Sequence, residues 1–303
     1  MTLPRIDRFL GCLLGLAAGD AVGTTVEFKP RGTFTPLTGM VGGGPFRLPA
    51  GAWTDDTSMA LCLGHSLVEK GGFDPADQMD RYCAWRDEGY LSSTGDCFDI
   101  GVTVSGALGR YKTSGDPFSG STDPYSAGNG SIMRLAPIPM FYSADEAQTL
   151  HYAGESARTT HGAAEAVDAT RLFGGILWTA LAGRSKAEIL AYDGYAPVTP
   201  RIQAIAAGAY KTKSRDAIKG SGYVVPSLEA ALWSFYTTDS YREAILMAAN
   251  LGDDADTTAA ICGQVAGAFY GKSGIPGDWL EKLVMREDIE KLAAALMAGP
   301  QSG

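Results

Sequence analysis

Two short acidic segments, far apart in the chain, carry the side chains best suited to chemistry. The first reads Thr-Asp-Asp-Thr at 54–57, and the second reads Asp-Asp-Ala-Asp-Thr at 253–257. Each directly precedes an apolar run typical of a helix, so one reading is helix capping. Capping needs only one carboxylate, whereas each close pair of carboxylates costs ~1 kcal/mol when partly solvated. The surplus of acids indicates a second role.

A bound divalent cation would remove this repulsion. Carboxylates and threonine hydroxyls form an all-oxygen ligand set, which suits Mg²⁺ or Mn²⁺ rather than Zn²⁺ or Cu²⁺. Neither segment contains cysteine or histidine. Their parallel architecture favours metal binding over capping alone. Two ions held side by side could orient a substrate diol, activate a water molecule or polarise a leaving group.

Four motifs, in order along the chain, resemble the ADP-ribosylglycohydrolases, most closely the dinitrogenase reductase-activating branch. They are Gly-Asp-Ala-Val-Gly at 19–23 followed by Glu27-Phe28, Trp-Thr-Asp-Asp-Thr-Ser-Met at 53–59, Gly-Asn-Gly-Ser-Ile-Met-Arg at 128–134 and Leu-Gly-Asp-Asp-Ala-Asp-Thr-Thr at 251–258. Any one of them is a weak signal, but four in register are highly specific.

The resemblance implies an all-α fold, a single domain over 1–303, and a cleft holding two divalent cations, Mn²⁺ or Mg²⁺. Many family members read Gly-Gly-Asp-Thr-Asp-Thr where this chain reads Gly-Asp-Asp-Ala-Asp-Thr, so the pattern fits with Asp254 placed first. Asp253 then supports or caps the second segment. The implied metal ligands are Thr54, Asp55, Asp56, Asp254, Asp256 and Thr257.

Two further acids are candidate catalytic residues. From the residues alone, Glu27 is an ordinary loop carboxylate or a functional one, and Asp99 is an ordinary N-cap for a helix at 100–112. The resemblance implies that Glu27 acts as a general base or proton shuttle and that Asp99 reaches the substrate ribose opposite the metals. Val102 departs from the family, which often has Asn there. Asp20 is predicted to be structural, bonding nearby backbone at a helix end.

The loop at 128–131 is a candidate anion site, because glycines permit close approach and a helix start offers free N–H groups. A tight turn is the alternative. The resemblance implies that this loop holds the diphosphate of ADP-ribose. Arg134 is either a phosphate partner or part of an inward ion pair. The implied substrate-binding residues are Gly128, Asn129, Gly130, Ser131, Tyr90 and His161.

These residues must be positioned by helices, which the apolar periodicity of the sequence predicts. Apolar residues between Ile6 and Ala17 recur on one helix face, and this run is predicted to end at Gly19-Asp20. Asp74-Pro75 predicts a capped helix start, and capping boxes are predicted at Ser143, Ser185 and Ser240. Further helices are predicted at 56–69, 130–141, 161–183, 227–236, 257–271 and 286–298. Residues 29–53 and 113–130 are predicted to be irregular binding loops.

Composition narrows the function classes. The chain has 303 residues, 45% of them hydrophobic, with a formal net charge of −9 and a pI of about 4.9. This charge argues against nucleic acid as the main partner. The five cysteines form no C-x-x-C pair and are predicted to be free thiols in a reducing compartment. The apolar stretch at 9–18 is too short to span a membrane, so a cytoplasmic protein is expected, with a monomer as the default.

We therefore expect a metal-dependent hydrolase that removes α-linked mono-ADP-ribose from a protein side chain, with arginine the leading candidate. A non-catalytic module that senses ADP-ribose or a nucleotide is one alternative, although Glu27, Asp99 and the six ligands are all present. A toxin-neutralising immunity protein is another. The family motifs begin near residue 11, without a long preceding extension of the kind that would plug a toxin.

Overall fold

The computed structural model describes residues 3–300, and its regular secondary structure is helical. Within those residues, extended pairing occurs only as isolated bridges, such as the one between Gly43 and Leu48. This confirms the all-α prediction. The α-helices are Arg5–Gly23 (α1), Asp55–Lys70 (α2), Pro75–Glu88 (α3), Val102–Ser114 (α4), Pro137–Phe141 (α5), Glu146–Arg158 (α6), Ala164–Leu181 (α7), Lys186–Ile189 (α8), Pro200–Ala206 (α9), Val224–Tyr236 (α10), Tyr241–Ala249 (α11), Ala255–Tyr270 (α12), Gly277–Lys282 (α13) and Arg286–Ala298 (α14).

Two predicted helix boundaries were wrong. Helix α1 continues past Gly19-Asp20 to Gly23, because its last turn packs against α12 instead of meeting solvent. The helix predicted over 130–141 is only the short α5, and residues 130–134 form turns. Pro137 lies at the start of α5, where its missing N–H is not needed. The helices predicted at 56–69, 161–183, 227–236, 257–271 and 286–298 are present within three residues at each end.

The predicted helix caps were partly right. Asp74 accepts hydrogen bonds from the backbone of Ala76 and Asp77, and Ser185 forms a full capping box with Glu188. Ser240 caps α11 through the Glu243 N–H, but the Glu243 carboxylate accepts from Asp239 N rather than from Ser240 N. The box predicted at Ser143 was wrong. Asp145 caps α6, since the helix begins two residues later than that pattern requires.

Helices α1 and α12 cross at backbone contact in the middle of the protein. Glycines at every fourth position of α1 (11, 15, 19 and 23) lie on the face toward α12. A Cβ added at Gly15 would lie 2.4 Å from Gly263 O, and one at Gly19 would lie 2.3 Å from Ala259 O. Since the distance between packed helices depends on the side chains at the contact, only glycine permits this approach.

Burial of α1 is nearly complete. The segment Arg5–Val26 is long and apolar enough to cross a membrane, with a mean hydropathy of 1.5, but 89% of this window is buried inside the protein. It is therefore a core helix, surrounded by α12, α14 and α11. Cys12 and three other cysteines are buried as free thiols, and Cys97 is partly buried. This confirms the prediction that the thiols are free.

The glycine contact predicts a large effect of a single methyl group. Gly15→Ala should lower the free energy of unfolding by about 1–3 kcal/mol or more, because the new Cβ meets backbone that cannot give way. The matched control is Gly109→Ala, in the exposed face of α4, where an added Cβ meets nothing within 4 Å. It should be neutral or stabilise by about 0.5–1 kcal/mol. Urea unfolding of both variants checks this, and equal stability of the two would contradict the packing argument.

Candidate active site

The N-terminal turns of α2 and α12 meet at the floor of a cleft of about 680 Å³. Helix α1 ends beside them, so three helices supply the acidic residues of this floor. Loops complete the walls. Of the predicted site residues, the cleft lining contains Glu27, Asp55, Asp99, Gly128, Asn129, Gly130, His161, Asp254, Asp256 and Thr257.

Asp20 joins α1 to the start of α2. Its Oδ1 accepts from Thr54 N and Thr54 Oγ1, each at 2.9 Å, and its Oδ2 accepts from Thr57 N at 3.1 Å and Thr57 Oγ1 at 2.6 Å. Thr54 makes no cap bond of its own, so Asp20 caps α2 from another helix. The prediction that Asp20 bonds backbone is confirmed, but its partners are distant in sequence rather than nearby. Burial raises its pKa to about 6.

Asp56 and Asp256 face each other across the floor. Carboxylate oxygens of Asp20, Asp56 and Asp256 lie within 4.8 Å of one another, and all three residues are buried. Thr54 Oγ1 lies 3.1 Å from Asp56 Oδ2 and 3.3 Å from Asp256 Oδ2, and Thr257 Oγ1 lies 3.4 Å from Asp56 Oδ2. The four residues Thr54, Asp56, Asp256 and Thr257 therefore converge on one point, together with Asp20.

A second acidic group shares Asp256. Carboxylate oxygens of Glu27, Asp99 and Asp256 also lie within 4.8 Å of one another. Burial and the charge of Asp99 raise the pKa of Glu27 to about 9, and burial with the charge of Asp20 raises that of Asp99 to about 7. The alternative of Asp99 as an N-cap fails, because Gly101 occupies that position and Asp99 itself has φ of 61°.

The backbone holds Glu27 against the second acidic segment. Phe28 N donates to Asp253 O at 2.7 Å, and Asp253 N donates to Lys29 O at 2.8 Å. Phe28 and Asp253 both have positive φ, 61° and 57°, a conformation that non-glycine residues seldom adopt. The exposed Asp253 thus contributes through its backbone, whereas Asp254 turns inward and accepts from Asn129 Nδ2 at 2.7 Å.

The 128–131 loop lies against His161. A Cβ at Gly130 would lie 2.6 Å from His161 Cε1, so glycine is required there. Burial lowers the pKa of His161 to about 3, which keeps the imidazole neutral. Ser131 is buried outside the cleft lining, where its Oγ accepts from Thr170 Oγ1 at 2.8 Å.

Besides Ser131, four candidate residues lie outside the cleft lining: Thr54 and Asp56, described above, and Tyr90 and Arg134. Tyr90 is partly buried, and its hydroxyl accepts from Arg81 Nη1 at 3.2 Å. Arg134 is fully buried and takes neither predicted role. It lies outside the lining, and none of the ion pairs among residues 3–300 includes it. Its guanidinium packs on the Tyr82 ring, 4.8 Å from the centroid.

The acidic floor fits a divalent cation. Asp56 Oδ1 and Asp256 Oδ1 are buried without a hydrogen-bond partner, which is costly for a carboxylate oxygen. Burial, followed by the charges of neighbouring carboxylates, raises the pKa of Asp55, Asp56 and Asp256 well above the ordinary range. A hard cation bound there would satisfy the unpaired oxygens and neutralise the repulsion. The donor set therefore suits a metal ion.

Comparison with known proteins agrees with this geometry. A model of the ADP-ribosylglycohydrolase family matches residues 1–303. The chain is 48% identical over 291 residues to the ADP-ribosylarginine hydrolase Tri1 of Pseudomonas putida (strain GB-1), spanning 96% of this chain and 78% of that protein. It is 34% identical over 308 residues to the ADP-ribosyl-[dinitrogen reductase] glycohydrolase of Rhodospirillum rubrum, spanning 98% of each. A solved ADP-ribosylglycohydrolase-related protein complex superposes with a TM-score of 0.87 at 44% identity, covering 98% and 99% of the two chains.

An all-helical fold with a carboxylate-floored cleft defines the class as a metal-dependent hydrolase. The chain belongs to the ADP-ribosylglycohydrolase family. The predicted family, fold class and hydrolytic character are confirmed. Sequence reasoning missed Asp20 as a member of the carboxylate group, although its position directly after Gly19, within the glycine repeat of α1, was a usable signal.

The raised pKa values predict that pH controls the stability of the cation-free protein. Groups with raised folded-state pKa values stabilise the fold at low pH and lose that contribution as pH rises through those values. With chelator, stability should fall from about pH 4, near the ordinary carboxyl pKa, to about pH 9, as pH passes through the raised pKa values of Asp20, Asp99 and Glu27. Saturating Mn²⁺ or Mg²⁺ should remove most of this fall. Thermal unfolding midpoints across pH test it, and stability that rises with pH in chelator would contradict it.

Proposed function

We propose that the protein hydrolyses the bond between ADP-ribose and an arginine side chain of a modified protein. The observation that carries this proposal is the pair of carboxylate groups that share Asp256, one including Asp56 and the other including Glu27 and Asp99. One group suits a cation and the other suits proton transfer. Two relatives at 48% and 45% identity are both named ADP-ribosylarginine hydrolase.

In this proposal two Mn²⁺ or Mg²⁺ ions are held by Thr54, Asp55, Asp56, Asp254, Asp256 and Thr257. When bound, they would supply Lewis-acid contacts to the ribose hydroxyls and fix the anomeric carbon. Asp20 keeps Thr54 and Thr57 in place, and Asn129 orients Asp254 by donating to its Oδ2. Orientation of the ligands thus depends on hydrogen bonds already formed in the protein.

Glu27 and Asp99 carry the proton transfers. Hydrolysis breaks the C–N bond between ribose and guanidine and forms a C–O bond to water, so the leaving nitrogen gains one proton while the water loses one. A carboxyl with a raised pKa can donate at neutral pH, and an ionised neighbour can stabilise positive charge on the ribose. In this proposal the loop at 128–131 binds the diphosphate of ADP-ribose, and His161 lies beside that loop. Ser131 and Tyr90 lie outside the cleft lining, so in this proposal their contribution to binding is indirect.

Phe28 favours arginine as the linked residue. Its ring is 65% exposed, lines the cleft beside Glu27 and is edge-on to Phe46 at 6.3 Å between centroids. An arginine side chain has an apolar stem and a cationic planar head. An aromatic face next to carboxylates matches both parts through apolar contact and a cation–π interaction.

We further propose that the chain works as a single domain and as a monomer in the cytoplasm. The acidic segments at 54–57 and 253–257 contribute to one cleft, so neither the N-terminal nor the C-terminal half of the chain contains the whole site. The free, mostly buried cysteines suit a reducing compartment.

The deciding experiment measures release of ADP-ribose from a peptide modified on arginine, by mass spectrometry, with Mn²⁺, with Mg²⁺ and with chelator. Release that requires a cation supports the proposal and shows which cation works. Binding of ADP-ribose without release from arginine or serine conjugates would favour the sensor alternative. Inhibition of a toxin by a turnover-dead variant would favour the immunity-protein alternative.

Loss of the shared carboxylate should abolish turnover. Asp256→Asn is expected to lower kcat by at least about 10²-fold, because both acidic groups lose a charged member, while the far-UV circular dichroism stays unchanged. Asp96→Asn is the matched control, since Asp96 is an exposed aspartate outside the cleft lining that makes hydrogen bonds only through its backbone among residues 3–300. Full activity of Asp256→Asn would rule out the proposed site.

Phe28→Ala should weaken recognition of arginine conjugates. Loss of a cation–π contact of ~1 kcal/mol corresponds to about a fivefold fall in kcat/KM for an arginine conjugate, with the affinity for free ADP-ribose unchanged. Tyr125→Ala is the control, because Tyr125 is an aromatic residue that is 98% exposed and outside the cleft lining. An equal loss in affinity for free ADP-ribose would show that Phe28 contacts the nucleotide instead.

A further inference from the structure

A buried arginine lies beneath the cleft without a carboxylate partner. The Arg134 side chain is fully buried against the Tyr82 ring, and its Nη2 donates to Thr160 Oγ1 at 2.7 Å. Weaker contacts join the same nitrogen to Ser156 O at 3.3 Å and to Thr159 Oγ1 at 3.5 Å. Guanidinium nitrogens can only donate, so Thr160 Oγ1 must be the acceptor in this bond.

The direction of the next hydrogen bond, between Thr160 and His161, is then fixed. Thr160 Oγ1 lies 2.8 Å from His161 Nδ1, and Thr160 is itself fully buried. Among residues 3–300, Arg134 and His161 are the two side chains that bond this hydroxyl. If His161 Nδ1 carried a proton, the threonine hydroxyl would accept twice and its own buried hydrogen would have no acceptor. That arrangement costs about 1–3 kcal/mol, so the hydroxyl donates to an unprotonated Nδ1.

A neutral imidazole with an unprotonated Nδ1 carries its hydrogen on Nε2. The Nε2 side of the ring lies against the 128–130 loop, since a Cβ at Gly130 would be 3.1 Å from Nε2 and one at Gly128 would be 3.2 Å away. His161 lines the cleft beside this loop. The missing side chains of the two glycines leave this N–H directed at the cleft.

We propose that Arg134 is a positioning residue that acts through Thr160 to fix the His161 tautomer, so that His161 Nε2 always presents a hydrogen-bond donor to the cleft. The other tautomer would present a lone pair, which repels an anion. The donor suits an anionic oxygen of the substrate. That this oxygen belongs to the diphosphate rests on the proposed function, whereas the tautomer does not.

Nitrogen NMR of the substrate-free, cation-free protein tests the tautomer directly. The chain has three histidines, so ¹⁵N-histidine labelling gives a simple spectrum, and His65→Gln and His151→Gln assign the remaining signals. Two-bond proton–nitrogen correlations distinguish a protonated from an unprotonated ring nitrogen. We expect His161 with hydrogen on Nε2 alone. Hydrogen on Nδ1 would overturn the proposal, whatever the enzyme assay shows.

Three variants test the chain of hydrogen bonds. Thr160→Val removes the hydroxyl at constant volume and should give mixed His161 tautomers and about a tenfold higher Kd for ADP-ribose. Thr160→Ser should restore both. Thr159→Val is the matched control. Thr159 is an adjacent buried threonine whose hydroxyl donates to Ser156 O at 2.8 Å, lies 3.5 Å from Arg134 Nη2, against 2.7 Å for Thr160, and does not bond the histidine, so its variant should keep the wild-type His161 spectrum.

Arg134→Met tests the first link: without the donor at Thr160 Oγ1 the hydroxyl hydrogen can turn away from His161 Nδ1, so the spectrum should show a smaller share of the second tautomer than in Thr160→Val. If loss of the buried cation prevents folding, the wild-type spectrum and the threonine variants decide the proposal. Unchanged His161 signals in Thr160→Val would overturn it. Failure to hydrolyse arginine conjugates, with the expected tautomer present, would overturn the proposed function and leave this hydrogen-bond chain standing.

Discussion

Backbone contact between α1 and α12 is the constraint on which the site depends. Because glycines remove side chains from the contact, the end of α1 lies directly on the start of α12, and a Cβ at Gly23 would be 2.4 Å from the Asp256 Cα. This places Asp20 beside Asp256 and brings Glu27, four residues past the helix, over the same carboxylate. A wider helix crossing would separate these acids by the width of a side chain. The acidic cleft is therefore a consequence of helix packing.

Burying several carboxylates close together costs free energy, and this cost accounts for the hydrogen-bond donors found around the floor of the cleft. Desolvation raises the pKa values of Asp55, Asp56 and Asp256, and repulsion between the carboxylates raises them further. The Thr257 hydroxyl and the amide of Asn129 supply donors to Asp56 and Asp254, yet two oxygens remain unpaired. These contacts reduce the repulsion without removing it, which leaves a site that a cation completes.

Much of this could be predicted from the sequence, for identifiable reasons. Clustered acids before apolar runs indicated helix starts with a surplus of charge, and both segments lie at such starts. Periodicity gave most helices, but it could not show that Pro137 begins a short helix or that Asp20 caps a helix far along the chain. Those features depend on tertiary neighbours. The roles proposed for Glu27 and Asp99 came from family resemblance, because a loop carboxylate carries no periodic signal.

The proposed cation ligands and the proposed proton-transfer groups are held in place by different parts of the structure. Asp56 and Asp256 belong to first turns of helices whose neighbours are fully buried, so their positions are fixed by the core. Glu27 and Asp99 lie outside helices, next to or at residues with positive φ. Such conformations cost about 1–3 kcal/mol and persist only where surrounding bonds enforce them, as the paired backbone bonds of Phe28 and Asp253 do. The proposed cation ligands are thus held in place by the core, whereas Glu27, one of the proposed proton-transfer groups, is held by backbone bonds around residues with positive φ.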